Sequence, residues 1–172
     1  MGLAKAKMIS VVGNSGAGKS TLSKEIAKSL GIRIYSIDKI YWLPGWNLRD
    51  QNSFKTLHEQ WLGRDSWIID GVGYWSEMER RISKSDIVIF LDAPVELCKE
   101  RAAIRIKEEK ISPNPDITEG CVYSDVKELQ MEIIENFHRE LRPKLVKYLS
   151  SLNPEKVRVV GGFSELNIDN ET

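Results

Sequence analysis

From Gly13 to Ser20 the chain reads Gly-Asn-Ser-Gly-Ala-Gly-Lys-Ser, two glycines five positions apart followed at once by a lysine and a hydroxyl. The pattern Gly13-x-x-x-x-Gly18-Lys19-Ser20 suits one piece of chemistry, the grip on a chain of phosphates. Glycines let the backbone turn its N–H groups inward around an anion, and the N-terminus of a following helix adds partial positive charge. On that reading Gly13, Asn14, Ser15, Gly16, Ala17, Gly18, Lys19, Ser20 and Thr21 lie against the phosphates. Lys19 bridges the terminal phosphates and the Ser20 hydroxyl ligates Mg2+. The expected ligand is the β,γ end of a nucleoside triphosphate with magnesium. The plain alternative, a structural glycine turn, requires no strand before the loop and no helix after it.

Further residues have types suited to phosphoryl chemistry. Asp38 ends an apolar run, where open α/β sheets place ligand contacts. It would orient or deprotonate an acceptor hydroxyl, or hold a water of the magnesium shell; otherwise it caps the next turn. Asp70, beside Gly71 in the run WIIDG, is the second magnesium candidate. Arg101 and Arg105 are four apart, so both guanidiniums reach one cluster of phosphate oxygens, unless they are solvated partners of Glu108 or Glu109. The catalytic set is therefore Lys19, Asp38, Arg101 and Arg105, and the metal set Ser20 and Asp70. Arg142, next to Pro143, is left outside the site. Tyr41, Trp42 and Trp46 form either an aromatic wall over an acceptor or core packing under a loop. His58 and His138 lack partners at metal-ligand spacing and read as satisfied or surface side chains. Cys98 reads as packing, and nothing marks Cys121 as reactive.

The elements needed to position these groups are present. Met8 to Val12 is a β-branched run ended by glycine, and Lys19 to Leu30 places Leu22, Ile26 and Leu30 four apart before Gly31. Further strands are expected at Ile32 to Ile37, Ser66 to Ile69, Asp86 to Leu91 and Lys156 to Val160. Helices are expected near 51–62, 75–83, 94–109 and 123–150, with Pro143 breaking the last or starting another. Near-continuous apolar strands alternating with helices imply a parallel sheet covered on both faces. Two segments depart from the alternation: IYWLPGWNLRD (40–50) and ISPNPDITEGC (111–121) read as binding loops or plain connections. The run KEEK (107–110) reads as a solvated helix end.

With 172 residues the chain fits one domain, and its 25 basic residues balance 25 acidic ones. No overall field attracts nucleic acid or an anionic membrane, so any anion must be held by a local cluster. Two cysteines and no cleavable apolar N-terminal segment point to a reducing compartment, with the cytoplasm expected. Met1-Gly2 suits N-myristoylation, but Ala6 stands where that signal wants Ser or Thr. The longest apolar runs are too short to span a bilayer.

A phosphate loop alone does not separate GTPases, motor ATPases and small-molecule kinases. The chain has no Asn-Lys-x-Asp stretch to read guanine and no apolar strand ending in Asp-Glu. The run SDIVIFLDAPVELCKERAAIR (85–105) resembles the fourth strand and following helix of adenylate-kinase-like enzymes, where an Arg-x-x-x-Arg pair leads into the lid. SIDKIYWLPGW (36–46), WIIDG (67–71) and PDITEGC (115–121) look more narrowly like the adenylate-kinase-related proteins labelled DNA topology modulation protein (FlaR-like). The resemblance covers most of residues 8–150 and implies a three-layer α/β fold over a five-stranded parallel sheet of order 2-3-1-4-5. Residues 39–65 would be the acceptor-binding excursion and 109–122 the lid of a single domain spanning 1–172. It departs from those relatives at Ser76 and Asn114, where they carry phosphate-binding arginines; Arg80 or Arg81 is the candidate replacement for the first. The expected function is transfer of the γ-phosphoryl of ATP, with Mg2+, to a small acceptor such as a nucleotide or nucleoside. The alternative is an ATP-binding regulatory or interaction protein without an acceptor. No nucleic-acid or membrane partner is expected, and acceptor identity, ATP against GTP, and oligomeric state are left open.

Overall fold

The computed structural model describes residues 2–109 and 115–161. Five parallel strands make the central sheet: β1 (Met8–Gly13), β2 (Ile34–Ser36), β3 (Trp67–Asp70), β4 (Ile87–Leu91) and β5 (Val157–Val160). Their spatial order is β2-β3-β1-β4-β5, with Met8 opposite Trp67 and Ile9 opposite Ile87 in the central ladders. This is the order that the resemblance implies. Every residue of β3 and β4 is buried. Such strands cannot alternate apolar with polar, and their sequences WIID and IVIFL do not.

Among the described residues seven α-helices surround the sheet: α1 (Lys19–Leu30), the single turn α2 (Asp38–Tyr41), α3 (Gln51–Leu62), α4 (Trp75–Lys84), α5 (Val95–Glu108), α6 (Lys127–Asn136) and α7 (Arg142–Ser150). Alternate strand residues feed separate cores, as a period of two requires. Ile9, Val11, Ile87 and Ile89 pack with Leu22 and Ile26 of α1, Cys98 of α5 and Ile134 of α6. Val12, Val88 and Phe90 pack on the other face with Met78 and Ile82 of α4 and Leu145 and Leu149 of α7. A further cluster joins Tyr35, Ile37, Trp67 and Ile69 to Phe54 and Leu62 of α3. The result is three layers. The Asp50 carboxylate caps α3 by accepting from the Ser53 N–H at 2.9 Å.

Three expectations need correction. The second strand is shorter than 32–37 and ends at Ser36, because Ile37 already has helical dihedrals and its carbonyl accepts from the Tyr41 N–H at 2.8 Å. Asp38 therefore opens a helical turn instead of closing a strand. The long helix expected over 123–150 is four pieces: a 3-10 turn at Tyr123–Val126, α6, a π-helical stretch at Phe137–Leu141, and α7. Pro143 supplies no N–H, and the Arg142 N–H just before it reaches five residues back to the Phe137 carbonyl. The proline thus starts a second helix after a widened turn.

The aromatic segment after α2 forms an antiparallel ribbon, Trp42–Leu43 against Asn47–Leu48, around a turn at Pro44–Trp46. Of the expected lid, residues 109 and 115–122 are described, and 118–122 fold back onto this ribbon; Lys110, Asn114 and the residues between them lie outside the described part. The Thr118 hydroxyl donates to the Trp42 carbonyl at 2.8 Å, and the Gly45 N–H to the Gly120 carbonyl at 2.9 Å. The indole N–H of Trp46 reaches the Val122 carbonyl at 2.9 Å. Among the described residues no helix is long and apolar enough to cross a membrane.

Candidate active site

The loop between β1 and α1 runs along the carboxyl edge of the sheet. Gly16 has a φ of +79°, and a Cβ there would press into the backbone carbonyl of Cys98 in α5. Only glycine permits both the left-handed backbone and that approach. Asn14 is buried and fixes the loop: its amide donates to the Ile134 carbonyl at 2.9 Å and its oxygen accepts from the Ser15 N–H at 2.8 Å. Its side chain is thus committed to protein groups. The Lys19 ammonium lies across the loop, donating to the Asn14 carbonyl at 2.9 Å. Thr21 is exposed at the mouth of the cavity.

Ser20 and Asp70 meet directly, the hydroxyl donating to the carboxylate at 2.7 Å. Asp70 is buried, and burial raises its pKa against the pull of Lys19, the Ser20 hydrogen bond and Arg81. Arg81 is fully buried behind the site and donates to the Gly71 carbonyl at 2.6 Å. Burial lowers its pKa to about 9 while Asp70 opposes the shift. Arg80 pairs with Glu59 at 2.6 Å. Neither lines the cavity, so neither replaces an arginine at Ser76, which is exposed and bonded to Gln51 and Glu77.

Asp38 is half-buried, and burial raises its pKa; Lys19 and Arg105 counter the rise and Asp116 adds to it. The two arginines of α5 face the loop. Arg101 donates to the Ala17 carbonyl at 3.1 Å, and Arg105 to the Ser15 hydroxyl at 3.3 Å and the Tyr123 hydroxyl at 3.2 Å. The Arg105 guanidinium also lies 4.6 Å from the centre of the Tyr123 ring. Glu109 instead accepts from the Tyr123 N–H at 2.6 Å. Lys19, Ser20, Asp38, Asp70, Arg101 and Arg105 all line one cavity of about 810 Å³.

Tyr41, Trp42 and Trp46 line the same cavity, and the alternatives of wall and core both apply. Trp42 meets Tyr41 at 5.1 Å and Trp46 at 5.3 Å, edge to face, while buried Trp46 packs with Ile117, Cys121 and Tyr123. His58 is a correction. It is wholly buried against Phe54 and Trp61, neither ring nitrogen has a hydrogen-bond partner, and burial takes its pKa down to about 3. It is a neutral ring in an apolar cluster, neither satisfied nor at the surface; His138 is exposed. Both cysteines are buried, Cys121 with its thiol 3.2 Å from the Leu43 carbonyl. Arg142 forms a two-pronged pair with Asp92, each contact 2.6 Å, and does not line the cavity.

The far side of the cavity escaped sequence reasoning. Gln130, Ile133, Asn136, Phe137 and Glu140, from α6 and the π-helical stretch, line it. Their apolar spacing reads as core; the polar Gln130, Asn136 and Glu140 between those positions were the available signal. Among the described residues no group of three or more His, Cys, Asp or Glu side chains is arranged to hold a metal. A Mg2+ that keeps its waters and takes phosphate oxygens needs only one or two protein oxygens, which the Ser20–Asp70 pair offers.

The AAA domain family profile matches residues 9–129. A shikimate kinase from Persephonella marina (strain DSM 14350 / EX-H1) is 34% identical over 107 residues, which cover 54% of this chain and 65% of that enzyme, just under two thirds of its length. Among solved structures, a shikimate kinase from Acinetobacter baumannii in complex with shikimate superposes with a TM-score of 0.47 at 19% identity, covering 87% of this chain and 96% of that one. A gluconokinase from Sinorhizobium meliloti 1021 superposes with a TM-score of 0.49 at 16% identity, covering 92% of this chain and 86% of that one.

Proposed function

The chain belongs to the AAA domain family, and from that premise we propose that it is a small-molecule kinase that moves the γ-phosphoryl of ATP to an acceptor hydroxyl. The observation that carries the proposal is the convergence of Lys19, Asp38, Arg101, Arg105 and the Ser20–Asp70 pair on one cavity. A motor or switch nucleotidase needs no carboxylate facing an acceptor space, and this cavity has one in Asp38. The curated relative, a shikimate kinase, is in keeping with a small hydroxylated acceptor. The finer placement among the adenylate-kinase-related DNA topology modulation proteins rests on the quoted sequence runs alone.

The loop N–H groups and Lys19 hold the β and γ phosphates, and the glycines keep those donors preorganised. Ser20 and Asp70 would hold Mg2+, which when bound would neutralise phosphate charge. Asp38 accepts the proton of the acceptor hydroxyl as its oxygen bonds to the γ phosphorus and the bond to the β-phosphate oxygen breaks, leaving ADP. The raised pKa of Asp38 makes it a better proton acceptor than an exposed carboxylate. Arg101 and Arg105, held at the loop, compensate charge that spreads over the moving phosphoryl group. Residues 39–65 would supply the acceptor wall, and residues 115–122, docked on the ribbon through 118–122, its cover. The test is ADP release from Mg-ATP against nucleosides, nucleotides, shikimate, gluconate and other hydroxy compounds. Stimulation by an acceptor is the expected result; release that no acceptor raises above background would favour an ATP-binding regulator.

A further inference from the structure

We infer that Tyr123 is a positioning residue for phosphoryl transfer: its ring and hydroxyl hold the Arg105 guanidinium between the phosphate loop and the aromatic wall. This rests on the phosphotransfer reading above and adds a member to that site. The two arginines of α5 are supported in different ways. Arg101 is exposed and rests on the loop, through the Ala17 carbonyl at 3.1 Å and the Gly16 carbonyl at 3.4 Å. Arg105, one turn further along, is half-buried and spans a gap. One end of its guanidinium donates to the Ser15 hydroxyl at 3.3 Å and the other to the Tyr123 hydroxyl at 3.2 Å. Both bonds are long, so the ring face 4.6 Å away is a substantial part of the support.

Tyr123 is itself firmly seated. It is buried, and its backbone N–H donates to the Glu109 carboxylate at 2.6 Å, which also accepts from the Ser124 N–H at 3.3 Å. Glu109 follows Arg105 by four residues, so the tie brings Tyr123 to the side of α5 from which Arg105 projects. The ring packs on Trp46 at 5.0 Å, and the Trp46 indole N–H bonds the Val122 carbonyl just before it. Trp46 meets Trp42, and Trp42 meets Tyr41. Ring contacts therefore run from Arg105 through Tyr123 into the acceptor wall, and Tyr123 is the member that touches the cation.

A guanidinium on a long, freely rotating stem compensates transition-state charge only where it is held in place. Misplacing a reacting group by about 1 Å can cost about a hundredfold in rate. Without the Tyr123 ring and hydroxyl, Arg105 keeps its charge and its bond to Ser15 but can swing away from the moving phosphoryl group. The loss then falls on the chemical step and leaves ground-state binding of ATP and acceptor nearly unchanged. The plain alternative is that Tyr123 only packs Trp46, Ile117 and Cys121 together. Packing alone would act on the wall and on stability, whatever stands at position 105.

The experiment uses the full chain with Mg-ATP and the acceptor of the panel above that gives the fastest ADP release. Tyr123→Leu removes the ring face and the hydroxyl, and Tyr123→Phe the hydroxyl alone. Tyr123→Leu is expected to lower kcat by about tenfold with Mg-ATP affinity and acceptor KM held within a few-fold, and Tyr123→Phe by only about threefold. Beside Arg105→Ala the Tyr123→Leu loss is expected to vanish, and beside Arg101→Ala to persist in full. No loss, an equal loss beside Arg105→Ala, or a loss confined to acceptor KM would overturn the inference and leave the kinase reading standing. Should Tyr123→Leu fail to fold, Tyr123→Phe decides by the same cycle: its loss is expected to disappear beside Arg105→Ala, and an equal loss in both backgrounds would overturn the inference. Silence of the wild-type chain with every acceptor would overturn both.

Discussion

The phosphate end and the acceptor end of the cavity are built in opposite ways. On the proposed function the phosphate end is a continuous run, Gly13 to Thr21, whose donors would be mostly backbone N–H groups and whose shape is set by glycines. The acceptor end is assembled from segments remote in the chain: the Thr118 hydroxyl bonds the Trp42 carbonyl across 76 positions, and the Ser36 hydroxyl bonds the Asp116 carbonyl at 2.9 Å across 80. Every nucleoside triphosphate offers the same phosphates, so a short local device suffices for them. Choosing one acceptor requires side chains that only tertiary packing brings together.

If that division is right, damage at the phosphate end abolishes binding, whereas damage at the acceptor end spares it. The largest effect belongs to Lys19→Ala, expected to remove measurable Mg-ATP binding in calorimetry while circular dichroism stays native. Unchanged affinity would break the comparison at its first term.

Asp38→Asn comes next, with phosphoryl transfer reduced about a hundredfold or more and Mg-ATP affinity held within a few-fold. The same change should raise thermal stability at neutral pH. The folded-state pKa of Asp38 lies above its ordinary value, so the native state holds the extra proton in that window. Stability is then full below the unfolded pKa of about 3.8 and declines as pH rises through the raised value. Asn removes this penalty. The wild-type rate should climb with pH through the same window as the carboxyl becomes ionised, and the variant's pH profile should lack that limb.

Arg101→Ala and Arg105→Ala are each expected to lower kcat by at least about tenfold with smaller changes in ATP affinity, read from steady-state kinetics. Equal loss in both constants would place them in ground-state binding. Thr118→Val should have the smallest effect: the KM for the acceptor rises about several-fold as the hydrogen bond to the Trp42 carbonyl, worth roughly 1 kcal/mol, disappears, and ATP affinity is unaltered. A matching loss of ATP affinity would show that the two ends are not separable.

The same division explains what was legible in the sequence. The strand, loop and helix around Gly13 to Leu30 follow from β-branched residues, glycines and a four-residue apolar repeat, all local. The pair Arg101 and Arg105 was legible because helical spacing fixes a shared face. Asp38 was placed at a strand end because Ile37 belongs to the apolar run, yet its dihedrals are already helical. The widened turn at Phe137–Leu141 was hidden because Phe137 and Leu141 keep ordinary helical spacing through it. His58 was misread because burial of an unpartnered ring depends on Phe54 and Trp61 enclosing it, which is a tertiary fact. The docking of residues 118–122 on the ribbon left no mark, since its bonds use mainly carbonyls, which every residue has.

Gly16 and Cys98 impose an evolutionary constraint on helix α5. Cys98, Arg101 and Arg105 lie at positions i, i+3 and i+7, a single stripe along the helix, and the stripe begins where the Cys98 carbonyl touches Gly16. That contact fixes how high the helix stands beside the loop. Inserting or deleting one residue between Cys98 and Arg101 would turn both guanidiniums about 100° around the axis and shift them about 1.5 Å along it. A side chain at position 16 would push the whole helix outward instead. Point substitutions on the outer face of α5 leave this register untouched, so sequence drift is free there and length drift across 98–105 is not.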